Sequence, residues 1–180
     1  MRAFGMLEIG PVKSLRGFWP IGLLLPWFAL AAAPEVTLRD LAGRDHRVSE
    51  YIGRGQWTVV AVWSVDCPIC QREIHHMAFF HDEHAKKDAT VLGVSIDGFA
   101  DRVRIKGFID EHALNFPNLI GARPDIAGFG GGPFKGTPTY LFFSPQGRLV
   151  AQRLGAITQE EAERIIRQFA AGAEMAPGKR

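Results

Sequence analysis

The chain of 180 residues contains only two cysteines, Cys67 and Cys70, in the run Trp63-Ser64-Val65-Asp66-Cys67-Pro68-Ile69-Cys70. A Cys-x-x-Cys pair suits either a redox centre or half of a zinc site. Structural zinc takes four ligands, and the sequence has no second cysteine pair and no histidine pair at finger-like spacing. As a staple, a bridge across so few residues would remove little chain entropy. Thiol–disulfide exchange, in which a thiolate attacks a disulfide sulfur, is the chemistry the residues favour. Cys67 falls where an extended apolar run gives way to helical spacing. Unpaired amides at such a helix start favour negative charge and should lower its thiol pKa. Asp66 opposes this, because a like charge disfavours a thiolate, although screening blunts the effect if it points to solvent. Pro68 at the first helical position gives up an amide that would be unpaired anyway. Cys67 is expected to form the mixed disulfide with a partner, and Cys70, one turn deeper, to resolve it.

The surrounding elements must hold that junction. Residues 57–64 read as a strand covered on both faces. Cys70, Ile74, Met77, Ala78 and His81 mark one face of a helix from Pro68 to about His84. Residues 90–96 are a further strand. Residues 99–113 are helical, with Val103, Phe108 and Ile109 inward, and residues 116–120 are extended. Residues 121–136 crowd glycines around Phe129 and Phe134. A phosphate cradle is a poor reading there, since no Walker lysine–serine pattern follows and no strand leads in; a flexible loop beside the site is expected. Tyr140–Phe143 and residues 148–154 form a hairpin about the turn Ser144-Pro145-Gln146-Gly147. Thr158 and Glu161 fit a capping box opening a last helix with Ala162, Ile165, Ile166 and Phe169 on its apolar stripe. Ahead of all this, residues 36–38 and 47–49 flank a turn-rich stretch. The β-α-β order requires right-handed crossovers and parallel strands. The expected class is α/β: a central mixed sheet flanked by helices, with an N-terminal β-hairpin extension, which is the thioredoxin architecture.

The first thirty-three residues differ in kind. Arg2, Lys13 and Arg16 precede an apolar run from Phe18 to Leu30, followed by Ala31-Ala32-Ala33. A basic region, a short apolar region and an Ala-x-Ala site describe a signal peptide. The run is shorter than the ~20 residues of a spanning helix and holds Pro20 and Pro26, but an uncleaved anchor through residues 18–33 stays open. The expected organisation is residues 1–33 as signal peptide or anchor, 34–172 as the domain and 173–180 as a flexible tail. The expected location is periplasmic or otherwise extracytoplasmic, where disulfides persist. The 21 basic and 19 acidic residues nearly balance, so nothing points to nucleic acid. Nothing in the sequence asks for a cofactor.

Over roughly residues 35–170 the chain resembles the TlpA-like branch of the thioredoxin superfamily, exported thiol–disulfide oxidoreductases. Three features carry the resemblance. They are the strand running into Cys67-Pro68-Ile69-Cys70 with Glu73 three residues beyond, Gly136-Thr137-Pro138-Thr139 before a strand, and Phe143 to Val150. The resemblance implies a cis Pro138 opposite the cysteines and a Thr137 backbone free to pair with an extended substrate. It makes Glu73 a candidate proton relay for Cys70, beside the alternative of a solvated helix residue. Trp63 packs either under the site or simply in the core. The implied partners are protein thiols and disulfides. The implied direction is reductive, for example in cytochrome c maturation, recharged by a membrane electron donor. The chain departs from the pattern at Asp66, where the family has a tryptophan, at Ala61, where thioredoxin has a buried aspartate, and in the long glycine-rich segment.

Other functions remain as alternatives. A disulfide oxidase or isomerase would use the same pair, and Thr137 before the proline occurs in isomerases. A copper-binding chaperone would add a histidine to Cys67 and Cys70. The family's copper proteins, however, use Cys-x-x-x-Cys, and His75, His76, His81 and His84 read as helix-surface residues, His81 partly buried. A peroxidase wants a lone cysteine among Thr/Ser and Arg, which this spacing does not provide.

Overall fold

A computed structural model describes residues 33–174. The expected leader falls outside them but for Ala33, as does the tail from residue 175.

The middle strand explains the rest of the arrangement. β3 (Trp57–Trp63) is buried from Thr58 to Trp63, as a run of β-branched and aromatic side chains covered on both faces must be. It pairs in parallel with β4 (Ala89–Ser95), Trp63 opposite Ser95, and antiparallel with β6 (Thr139–Phe143), Ala61 opposite Tyr140. β4 continues in parallel to β5 (Asn118–Ile120), and β6 turns back into β7 (Leu149–Leu154). The turn between them closes with the Gly147 amide donating to the Ser144 carbonyl at 2.8 Å, with Gly147 at φ +84°. β1 (Thr37–Arg39) and β2 (Asp45–Arg47) form the expected hairpin, two residues off at the second arm because Val48–Glu50 is a 3-10 turn. The hairpin is not a separate appendage: Arg39 bridges to Ile120, so the sheet order is β2-β1-β5-β4-β3-β6-β7.

Alternation along the strands divides the core in two. Val59, Ala61 and Trp63 face α1 (Pro68–Glu73), α2 (His75–His84), α3 (Arg102–Glu111) and α4 (Gln159–Glu174). The crossovers from β3 to β4 and from β4 to β5 step the same way along the sheet, so right-handedness puts their helices on one face. Val60 and Val62 face the other side, which Leu38, Val48, Ile126 and Phe129 cover.

Several expectations change. The single helix from Pro68 breaks at Ile74, where the Met77 amide bonds the Ile74 carbonyl three residues back rather than four. Its buried face includes Phe80, while His81 is only half-buried. Val103 is 74% exposed, and Ile105 and Phe108 are the inward residues of α3; residues two apart cannot share a helix face, so Val103 and Ile105 could not both point in. Residues 121–136 are not simply a loop. Arg123–Phe129 is a 3-10 helix that buries Ile126 and Phe129. The capping box forms at the start of α4, with Thr158 Oγ1 accepting from the Glu161 amide at 3.3 Å. That helix continues to Glu174, past the expected boundary at Gly172.

Candidate active site

The site is built on the end of β3. Trp63 is fully buried, stacked on Phe108 with ring centroids 4.5 Å apart, and its indole Nε1 donates to Asn118 Oδ1 at 3.2 Å. Asn118 fits because residue 93 is glycine: a Cβ there would lie 1.9 Å from Asn118 Oδ1. Trp63 shares one buried cluster with Cys67 and Cys70. It is a core residue at the end of the strand that leads into the cysteine loop.

The short loop from Ser64 to Asp66 is pinned from two sides. The Asp97 carboxylate accepts from Ser64 Oγ at 2.6 Å, from the Val65 amide at 3.0 Å and from Ser95 Oγ at 2.7 Å. The Gln71 side chain donates to the Val65 carbonyl at 3.0 Å. Both backbone groups of Val65 are thus satisfied two residues before Cys67. The sequence reading missed Asp97 and Gln71. Asp97 sits just beyond β4, and only the parallel pairing of β3 with β4 brings it to the loop.

Cys67 is the N-cap of α1, with extended φ/ψ of −94° and 105°, and Pro68 occupies the first helical position. Its Sγ accepts from the Cys70 amide at 3.1 Å, where a capping oxygen would usually sit. Cys67 and Cys70 are joined as a disulfide with Cα atoms 5.2 Å apart. Cys67 is 7% exposed and Cys70 0%, so Cys67 is the less buried of the pair.

Asp66 points outward and pairs with Arg104 of α3 at 2.5 Å; the carboxylate holds the guanidinium pKa up. A positive charge therefore offsets the acid beside the thiol, which no local sequence signal revealed. The Thr137–Pro138 peptide is cis. Thr139 pairs with Val62, so Pro138 falls beside Trp63 at the same sheet end as the cysteine loop. Thr139 Oγ1 donates to the Gly136 carbonyl at 2.6 Å and fixes the turn. Glu73, three residues past Cys70 on α1, is half-buried and lies 3.7 Å from His76 Nε2. Its charge and, more strongly, burial push the Tyr140 phenol pKa up. Tyr140 faces Ala61, and its buried hydroxyl has no hydrogen-bond partner among the described residues.

The histidines serve packing and pairing. His81 Nδ1 accepts from the Val91 amide at 3.2 Å. His84 approaches Asp88 at 2.8 Å and Glu163 at 3.4 Å. Among the described residues no three His, Cys, Asp or Glu side chains come together as a metal site.

A reducible cysteine pair at the junction of a central parallel strand and a helix, with a cis-proline turn beside it, defines a thioredoxin-like thiol–disulfide oxidoreductase. The chain belongs to the AhpC/TSA family, whose pattern matches residues 30–152. It is similar to the thiol-disulfide oxidoreductase ResA of Geobacillus thermodenitrificans, 26% identical over 137 residues, spanning 76% of this chain and 75% of that one. Among solved structures, a thioredoxin-family thiol:disulfide interchange protein from Chlorobium tepidum superposes with a TM-score of 0.64 at 19% identity, covering 76% of this chain and 93% of that one. A secreted disulfide oxidoreductase of Mycobacterium tuberculosis superposes with a TM-score of 0.58 at 23% identity, covering 74% and 96%.

Proposed function

We propose that the protein is an exported thiol–disulfide oxidoreductase that reduces disulfides in partner proteins through Cys67 and Cys70, for example during cytochrome c maturation. The observation that carries the mechanism is the difference in burial between the two cysteines. In the reduced protein the Cys67 thiolate attacks a partner disulfide, forming a mixed disulfide and releasing one partner thiolate, which takes up a proton. The Cys70 thiolate then attacks Cys67 Sγ. The Cys67–Cys70 bond forms, the second partner thiol leaves, and two electrons have passed to the partner. In this reading Thr137, beside the cis-proline, receives an extended partner segment, and Glu73, the acid on α1, exchanges a proton with Cys70. A membrane electron donor returns the pair to the dithiol.

The reductive direction rests on the resemblance to the TlpA-like branch. Export rests on the composition of residues 1–33, read as a signal peptide or anchor. Among the described residues no helix is long and apolar enough to cross a membrane. The test is substrate trapping with Cys70→Ser in the native envelope, with the wild-type midpoint potential measured alongside. A trapped mixed disulfide and a potential of roughly −200 to −270 mV agree with a reductant. A potential near about −120 mV assigns the pair to oxidation instead. Failure to trap any partner would remove the enzymatic reading.

A further inference from the structure

Next to the cis-proline turn lies a groove of about 470 Å³. Its lining includes the apolar Ile96, Pro124 and Phe134, together with Gly136 and Thr137. Its charged lining residues are Arg123 and Lys135, both exposed. Neither makes an ion pair among the described residues. The two acids closest in sequence to the lining face elsewhere. Asp97 is turned into the Ser64–Val65 loop. Asp125 accepts from the Ala122 amide at 2.7 Å and lines a separate cavity beside β1. The groove therefore combines positive charge with apolar lining residues.

The groove also sits at the reacting end of the sheet. The Ile96 amide donates to the Trp63 carbonyl at 3.0 Å, four residues before Cys67. Thr137, which lines the groove, precedes the cis-proline beside Trp63. A partner segment bonded to Cys67 and extended along Gly136–Thr137 advances about 3.3 Å per residue, so residues a few positions from its cysteine lie over Ile96 and between the two cations. We propose that this groove selects partner segments carrying a carboxylate within about four residues of the reactive cysteine, with Arg123 and Lys135 as the specificity-determining residues. Arg123 can take a carboxylate in two parallel hydrogen bonds, while Lys135 acts as a point charge. The proposal rests on the exchange activity proposed above.

The test uses the reduced full-length protein and disulfide peptides that are identical except for Glu, Gln or Lys about three residues to either side of the cysteine. Second-order rates are followed by protein fluorescence. Each variant's rates are taken relative to its own rate with a small neutral disulfide, so that any change in the cysteine pair itself cancels. For exposed charges at low salt, the Glu peptide should react about threefold to fivefold faster than the Gln peptide, and the Lys peptide slower. The preference should shrink toward unity at about 0.5 M salt. R123Q/K135Q should abolish it and R123E/K135E should invert it. Equal rates for all three peptides, a faster Gln peptide, or a preference that survives charge reversal would each overturn the proposal. If the small disulfide reacts but none of the peptides does, the protein-exchange reading fails and the proposal with it. Peptides that all react at equal rates remove only the selection by charge.

Discussion

Cys67 is the less buried of the two cysteines, and its reactivity at a given pH depends on how the thiolate is stabilised. The Cys70 amide already points at Cys67 Sγ at 3.1 Å, and a donor in that position favours the anion. Asp66, one residue away, would disfavour it, but Arg104 pairs with that carboxylate. Removing Arg104 leaves a lone negative charge beside the thiol, so Arg104→Gln should raise the Cys67 pKa. Both side chains are largely exposed, which limits the effect to about half a unit. Asp66→Asn should lower the pKa by a similar amount, and the double variant should return close to wild type. The rate of alkylation of the reduced protein as a function of pH reads this directly. A fall in pKa on removing Arg104 would show that the ion pair does not shield the thiol. Asp66 stood out in the sequence because it occupies a position where the family has tryptophan. Its partner did not stand out, because Arg104 lies on another helix and nothing near either residue encodes their meeting.

The element most exposed to a single change is the loop from Ser64 to Asp66. It joins the buried strand β3 to the helix that carries both cysteines at its start, and one carboxylate, Asp97, accepts three nearby donors. Asp97→Ala leaves the Val65 amide without an acceptor, and an orphaned buried donor costs about 1–3 kcal/mol. Urea unfolding of the oxidised protein should show a loss of that size. Exchange with protein disulfides should slow as Cys67 loses its fixed approach. Asp97→Asn keeps one carbonyl oxygen and should fall between the two. An unchanged urea midpoint for the alanine variant would mean that the loop holds itself. This explains what sequence reading can and cannot reach. β3, the helix start at Pro68, the hairpin about Gly147 and the capping box at Thr158 are encoded by periodicity and local turn chemistry, and they formed close to where the residues placed them. Asp97 and Asn118 act on Val65 and Trp63 across 32 and 55 residues, which no local pattern records. Residues 123–129 read as loop because glycine and proline mask the two side chains, Ile126 and Phe129, that the second core captures.

At the scale of the whole molecule, His81 ties stability to pH near neutrality. His81 lies on α2 against β4, where its Nδ1 accepts from the Val91 amide at 3.2 Å and approaches Thr90 Oγ1 at 3.4 Å, with the Phe116 ring edge-on at 6.0 Å. Burial pushes its pKa below the ordinary value of 6.5, and the charge of Asp82 only partly opposes this. Protonating Nδ1 would set an N–H against the Val91 N–H. With the folded pKa depressed, the unfolded chain binds more protons just below pH 6.5, so folding stability rises with pH there. The contribution is complete above the unfolded pKa and is lost as pH falls through the folded one. The resolved carboxylate shifts act lower. Asp40 is held down to about 2 by the Arg44 backbone amide, and Glu50, Glu83, Glu160 and Glu163 all titrate below 4.5, so their contributions fade only in more acid solution. The window that opens just below pH 6.5 is where protonation of His81 loosens the contact of α2 with the sheet. In urea titrations of the oxidised protein, the midpoint should fall across that window for wild type. His81→Gln, whose amide oxygen can still accept but which cannot titrate, should flatten the fall while lowering the midpoint at neutral pH. If the glutamine variant keeps the wild-type slope, the proton is taken up elsewhere and the packing of α2 on β4 is not what acid loosens.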